Sequence, residues 1–398
     1  MVLGRWSRRA SARAEPLREL DPRAFDVPPD VAYFNTASLS PMLRRALEAG
    51  QEALRRRAAP WTVTPRDWFD GAERLRSLAG ALFGGDAEGV ALVPATSYGL
   101  AVAAQALAPR GRLGGAVLVL ADEFPSGIYT WQAFAARTGA PIVIAEREPG
   151  QTWTEAVLAA LDERVGIVSV PQVHWTDGAL VDLAAVARRA RAVDAALVVD
   201  ASQSLGAMPL DMETVRPDFV VSVGYKWLLG PVGRSYLWVA EQHREAVPIE
   251  DNWIVRAGAD DFAGLADYTD QFQPGARRFD AGQRSQLEVT PIAIAGLEQV
   301  LTWGVERIGP ALAGLTAAVA DRLAPLGLAP TAPPAERGPH ILGVTVPPGA
   351  GPRILGALER HNCYVGLRGS TLRIAPHVHV TPAHVDALAA ALGAALAG

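Results

Sequence analysis

The 398-residue chain contains one cysteine, Cys363. A disulfide within the chain is therefore excluded, and so is a zinc site built on cysteines. A reducing compartment suits such a chain, and the expected location is cytoplasmic. Long apolar runs are missing as well. No uncharged stretch reaches the roughly 18–20 residues needed to span a bilayer. Arg8-Arg9 is followed by a segment carrying Arg13, Glu15, Arg18 and Glu19, so the apolar core of a secretory signal is lacking. An excess of positive charge is absent too. The formal net charge is −5, the wrong sign for a general nucleic-acid binder, whose footprint is basic. Lysine is scarce, and the chain leans on arginine for its positive charge.

Apolar residues make up 49% of the chain, enough for a sizeable core. The length suits one large α/β domain with a smaller companion. Between 31 and 239, short β-like runs alternate with amphipathic helical stretches. Strands are predicted at 90–93, 116–120, 142–144, 166–170, 196–199, 219–223 and 235–239. Helices are predicted between most of them, such as 183–193 behind Asp182. The alternation predicts a mostly parallel, seven-stranded sheet wrapped by helices. Residues 1–30, polar and Arg-rich, are assigned to an N-terminal arm, and 31–285 to the large domain. Its stretch 246–285 lacks periodicity yet gathers aromatics and arginines. It is expected to be an ordered active-site or subunit-contact segment. Residues 286–398 are predicted to form a smaller α/β domain. It has a long helix over 291–308, strands at 340–346, 363–367 and 372–375, a helix at 352–361 and a final alanine-rich helix.

Two apolar runs carry the chemistry. One is Leu197-Val198-Val199-Asp200-Ala201-Ser202-Gln203. The other is Phe219-Val220-Val221-Ser222-Val223-Gly224-Tyr225-Lys226-Trp227. Each has the pattern of a buried strand that ends in polar residues, and open α/β sheets bind ligands at that edge. The first run delivers a carboxylate, Asp200. The second delivers a lone lysine, Lys226, between two aromatics. Lysine can lose its proton when desolvated and attack a carbonyl, which arginine cannot. A carboxylate for a ring nitrogen and a lysine for an imine are what pyridoxal 5'-phosphate (PLP) asks of a protein. Thr96-Ser97 stands at a predicted strand-to-helix turn, where free N–H groups and hydroxyls suit a phosphate.

The pattern Asp200-Ala201-Ser202-Gln203, then Gly224-Tyr225-Lys226, resembles the core of the class V aminotransferase family of fold-type I PLP enzymes. That family includes cysteine desulfurases, kynureninases, isopenicillin N epimerase-like proteins and C–S lyases. The resemblance runs from Tyr33-Phe34-Asn35 to the C-terminal helix. It implies that Thr96 and Ser97 hold the cofactor phosphate, that Asp200 pairs the pyridine nitrogen and that Gln203 meets the ring hydroxyl. Lys226 would carry the cofactor and move the Cα proton. Phe124, in Asp122-Glu123-Phe124-Pro125-Ser126, would stack on the ring, where desulfurases have histidine and kynureninases phenylalanine. Tyr225 would reach the phosphate, as in kynureninases. Arg373 would clamp the substrate α-carboxylate, with Trp175 and Asn35 shaping the substrate pocket. Trp253 resembles a kynureninase tryptophan that touches the phosphate across a dimer. Arg278-Phe279-Asp280-Ala281-Gly282 resembles a segment that reaches the neighbouring subunit's site. The chain departs from the desulfurase pattern at Val223, where those enzymes have a serine that contacts the phosphate. Ser222 and Tyr225 stand nearby as partial replacements.

The resemblance implies a PLP-dependent enzyme, a homodimer with composite sites, acting on a small-molecule amino acid. No metal, nucleic-acid or membrane partner is implied. β-Elimination and transamination are the leading reactions. Kynureninase-like hydrolysis, epimerisation and a catalytically silent PLP-binding regulatory module are the alternatives. Cys363 falls in a β-like run ten positions before Arg373, which predicts a buried thiol, not the mobile cysteine of a desulfurase. His377 and His379 are assigned an ordinary surface or pocket role.

Overall fold

A computed structural model of the chain describes residues 20–397, with Arg112 described by its backbone only. The expected N-terminal arm lies outside the described residues up to position 19. From Leu20 onward the chain packs onto the body. Phe25 is buried, with its ring 5.3–6.0 Å from those of Trp303, His377 and His379. The two histidines are therefore core residues rather than surface or pocket ones.

The strands are β1 (Ala32–Tyr33), β2 (Val90–Val93), β3 (Ala116–Leu120), β4 (Ile142–Ala145), β5 (Val165–Pro171), β6 (Ala196–Asp200), β7 (Phe219–Val223), β8 (Ser235–Val239), β9 (Leu342–Thr345), β10 (Cys363–Tyr364), β11 (Gly366–Arg368) and β12 (Thr371–Ile374). β2 to β8 make one seven-stranded sheet in the order β2-β8-β7-β6-β5-β3-β4. From β7 to β4 every pairing is parallel. β8 alone runs against both of its neighbours, β2 and β7.

The runs of Val, Leu and Ile in these strands follow from burial on both faces, as parallel sheets require. Alternate residues enter different cores. Leu92, Leu118, Val168, Val199 and Val220 pack on one side. Val93, Val117, Ile167, Val198 and Val221 pack on the other. All seven predicted strands are present, each within a residue or two of its expected limits.

The C-terminal part is built on a three-stranded antiparallel sheet, β11-β12-β9, and a short parallel pair, β1 and β10. Leu342, Val344, Ile354, Leu358, Leu372 and Leu388 form its core together with Cys363. Two expectations are corrected here. The helix expected over 291–308 is two helices, Thr290–Trp303 and Val305–Leu323, broken at Gly304 with φ of +80°. The strand expected over 363–367 is split into β10 and β11, which pair with different partners. No helix among the described residues is long and apolar enough to cross a membrane.

Candidate active site

Because β2, β3, β5, β6 and β7 run in one direction, their C-terminal ends meet at one edge of the sheet. β8 runs the other way and begins there. A cavity of about 290 Å³ opens at this edge. Thr96 and Ser97 enter it after β2, Glu123 and Phe124 after β3, and Trp175 after β5. Asp200, Ser202 and Gln203 enter after β6, then Val223, Tyr225 and Lys226 after β7. Val232 and Gly233, just before β8, close the wall.

Lys226 is the only lysine of the chain. It sits in a turn that follows β7, in which the N–H of Leu229 donates to the Lys226 carbonyl at 3.2 Å and that of Gly230 to Gly224 at 2.8 Å. The helix Thr290–Trp303 rests directly on this turn. A side chain at Gly296 would place a Cβ 2.7 Å from the carbonyl oxygens of Leu228 and Leu229, so only glycine allows the approach. Lys226 Nζ lies 5.8 Å from the ring centroids of both Phe124 and Tyr225. Burial lowers its proton affinity to about 8. Asp200 opposes that shift, while the Arg373 and Arg368 guanidiniums reinforce it. A neutral, nucleophilic amine is thus accessible near neutral pH.

Asp200 ends β6. Its Oδ1 accepts the Ser202 N–H at 2.8 Å. Burial raises its pKa, while the Ser202 hydrogen bonds and the Lys226 charge pull it back. A buried carboxylate of this kind calls for a cation opposite it. Gln203 is held at both ends. Its amide nitrogen donates to the Ala37 carbonyl at 3.0 Å, and its oxygen accepts the Trp227 indole N–H at 3.1 Å. One amide hydrogen remains for the cavity.

The helix Thr96–Ala106 begins at the cavity wall, and Ala95 gives it no side-chain cap. Its first N–H groups are left for an anion. Ser202, which the sequence reading left without a role, supplies another hydroxyl there. Its Oγ lies 3.1 Å from Thr96 Oγ1 and accepts the Val223 N–H at 3.3 Å. Ser222 does not replace the serine that Val223 displaces. It is buried within β7, donates to the Ala201 and Val223 carbonyls, and does not line the cavity.

Phe124 stands at the mouth with its ring edge-on to Trp175, at 5.4 Å and 85°. The Trp175 indole N–H is fixed on the Asp122 carbonyl at 2.7 Å. Glu123 also faces the cavity and went unassigned in the sequence. Its Oε1 accepts the Phe124 N–H at 2.6 Å, and burial with the nearby Asp200 raises its pKa to about 7.

Arg373 comes from β12 and lies behind Trp175, outside the cavity lining. It is almost fully buried and donates to the Trp175 carbonyl at 2.6 Å and to Ser38 Oγ at 2.8 Å. Among the described residues its Nε has no partner, and neither does the buried Oδ1 of Asn35 beside it. Burial lowers the Arg373 pKa to about 9. Among the described residues Arg373 has no carboxylate partner, which is costly for a buried guanidinium unless a ligand supplies one. Trp253 is remote from this chain's own cavity. It packs on Trp68, Phe69 and Phe262 and is 40% exposed.

The family model "Aminotransferase class-V" matches residues 32–378. The chain belongs to the class V aminotransferases. It is 30% identical to a kynureninase of Deinococcus radiodurans over 71% of this chain and 70% of that protein. It is 28% identical to an isopenicillin N epimerase of Streptomyces clavuligerus over 92% and 95%. Among solved structures, a lysine-to-alanine mutant of C-DES, with glycine covalently linked to its PLP cofactor, superposes with a TM-score of 0.82. Their identity is 19%, over 94% of this chain and 99% of that one. A cysteine desulfurase from Thermococcus onnurineus NA1 superposes with a TM-score of 0.76 at 20% identity, over 93% and 95%. The fold is therefore that of the PLP enzymes, and this class V enzyme is PLP-dependent. The residues present fit that cofactor: an acid for its ring nitrogen, an amine for its aldehyde, and an uncapped helix start with hydroxyls for its phosphate.

Proposed function

We propose that this class V enzyme is a homodimer that removes the Cα proton of an amino acid and then expels a group from Cβ or transfers the amino group. The observation that carries the reading is Lys226, the only lysine, desolvated in a cavity with Asp200 near it and, among the described residues, no hydrogen-bonded partner for its amine. Bound PLP supplies an electron sink that stabilises negative charge at Cα. Lys226 Nζ holds the cofactor at rest and moves the Cα proton. Asp200 keeps the ring nitrogen protonated, and Gln203 offers its free amide hydrogen to the ring hydroxyl. Thr96, Ser97, Ser202 and Tyr225 hold the phosphate, and Phe124 covers the ring. Arg373 takes the α-carboxylate, with Asn35 and Trp175 beside it. No residue set for a metal is needed.

The dimer is supported by apolar side chains that a monomer leaves in water. Tyr268 is 95% exposed and Val232, at the cavity wall, 66%. Closed two-fold dimers are the commonest assemblies. In such a dimer Trp253 reaches the partner's cofactor phosphate. Kynureninase-like hydrolysis at Cβ is the second reading, favoured by Phe124, Tyr225 and the 30% identity to the kynureninase.

Borohydride reduction of the yellow holoenzyme, followed by peptide mapping, tests the cofactor chemistry. The label is expected on the peptide containing Lys226, and an unlabelled chain overturns the proposal. Ammonia, pyruvate, alanine, sulfide and racemised product, assayed over a panel of amino acids, then separate the reactions.

A further inference from the structure

Arg368 is the last residue of β11, and Arg373 lies on the neighbouring strand β12. Both guanidiniums donate to one hydroxyl, Ser38 Oγ, at 3.2 Å and 2.8 Å. The Arg368 guanidinium also lies over the Trp175 ring, 5.4 Å from its centroid, and bonds to its own strand at the Leu367 carbonyl. Trp175 lines the cavity.

Most other buried or half-buried arginines that flank the sheet have acids. Arg76 and Arg284 share Asp280, Arg277 has Glu73 and Glu88, and Arg244 has Asp86. Arg368 and Arg373 have none among the described residues. Two like charges on one hydroxyl repel each other, and both also act on Lys226. The acid whose charge acts on Lys226, Asp200, is committed to the ring nitrogen. One α-carboxylate balances one guanidinium and leaves the other uncompensated.

We propose that the substrate is an amino acid whose side chain is itself anionic, and that Arg368 receives this second group. The class includes carboxylate, sulfinate and sulfonate side chains, all of which suit a planar fork of donors. Arg368 is half-buried and does not itself line the cavity, but its guanidinium lies against Trp175, which with Phe124 forms the cavity's aromatic wall. This inference rests on the functional reading above.

The test uses the holoenzyme and its visible absorbance, which responds to amino acids whatever reaction follows. L-Aspartate and L-glutamate are titrated against their uncharged isosteres L-asparagine and L-glutamine. The acids are expected to bind about tenfold tighter or more, the difference a charged hydrogen bond makes. In Arg368→Gln that preference is expected to vanish, with the amides little changed. Arg368→Lys is expected to keep part of it, and Arg373→Gln to weaken both series. Equal binding of acids and amides to the wild type overturns the proposal. Equal weakening of both series by Arg368→Gln also overturns it, because Arg368 then serves the α-carboxylate alone. Absence of any spectral response to amino acids defeats the functional reading itself, and the two failures are thereby distinct.

Discussion

Glu123 and Asp200 face the same cavity from the ends of β3 and β6, and the Asp200 charge makes Glu123 harder to ionise. The Glu123 carboxyl is pushed up to about 7, by burial first and by the Asp200 charge second. Its unfolded value is close to 4.5. The folded chain therefore binds this proton more tightly than the unfolded one.

The sign of the pH effect follows. Stability from this group is fully present below about pH 4.5 and is lost as pH rises through about 7. Thermal unfolding of the cofactor-free protein at pH 5 and pH 8 checks this against Glu123→Gln, which keeps an oxygen for the Phe124 N–H. The wild type is expected to lose more stability than the variant over that range. Parallel pH curves for the two proteins would show that Glu123 titrates normally.

Ser202 ties two parts of the site together. Its N–H fixes Asp200 and its hydroxyl lies at the Thr96 end of the cavity. Ser202→Ala keeps the N–H and removes the hydroxyl. A hydrogen bond to a charged group is worth roughly 1.5–3 kcal/mol, so PLP affinity is expected to fall by about tenfold or more. Equilibrium dialysis of PLP against the variant measures it. Unchanged affinity would mean that Thr96, Ser97 and Tyr225 hold the phosphate without Ser202.

A composite site has a signature that a self-contained one lacks. Lys226→Ala and Trp253→Ala homodimers are each expected to be inactive or weakened. Mixed by unfolding and refolding together, they are expected to form heterodimers in which one site has both an intact Lys226 and an intact Trp253 of the partner chain. Activity is expected to recover toward half of one wild-type dimer in that species. Failure of the purified heterodimer to exceed the Trp253→Ala protein would place Trp253 outside the partner's site.

The strands were legible because seven apolar runs of the right length stand between helical patterns, and burial on both faces imposes that composition. Asp200 and Lys226 were legible because a polar residue at the end of such a run is an exception to its pattern. The break at Gly304 was not, since a single glycine is tolerated within a helical pattern. The split at Val365 was not, since alternation is the same whether one sheet or two receive the strand. Glu123 offered one signal, a carboxylate just after a strand and beside the assigned Phe124. Arg368 offered none, because whether an arginine has an acid is a property of the folded chain.

Cys363 bears on which reaction is possible. It is fully buried in the core of the C-terminal part, in β10 against β1, and its Sγ lies 3.5 Å from the His361 carbonyl. Burial pushes its thiol pKa up. A persulfide-forming cysteine needs the reverse: exposure, mobility and a lowered pKa. Sulfur released from a cysteine-like substrate is thus expected to leave from Cβ by elimination, after Lys226 removes the Cα proton. Cys363→Ser puts a hydroxyl in an apolar core, at a cost in stability of about 1–3 kcal/mol. Sulfide release per PLP-loaded subunit is nonetheless expected to stay at the wild-type level. If it vanishes from a variant that still binds PLP and still responds spectrally to cysteine, the thiol is a participant and the persulfide route is restored.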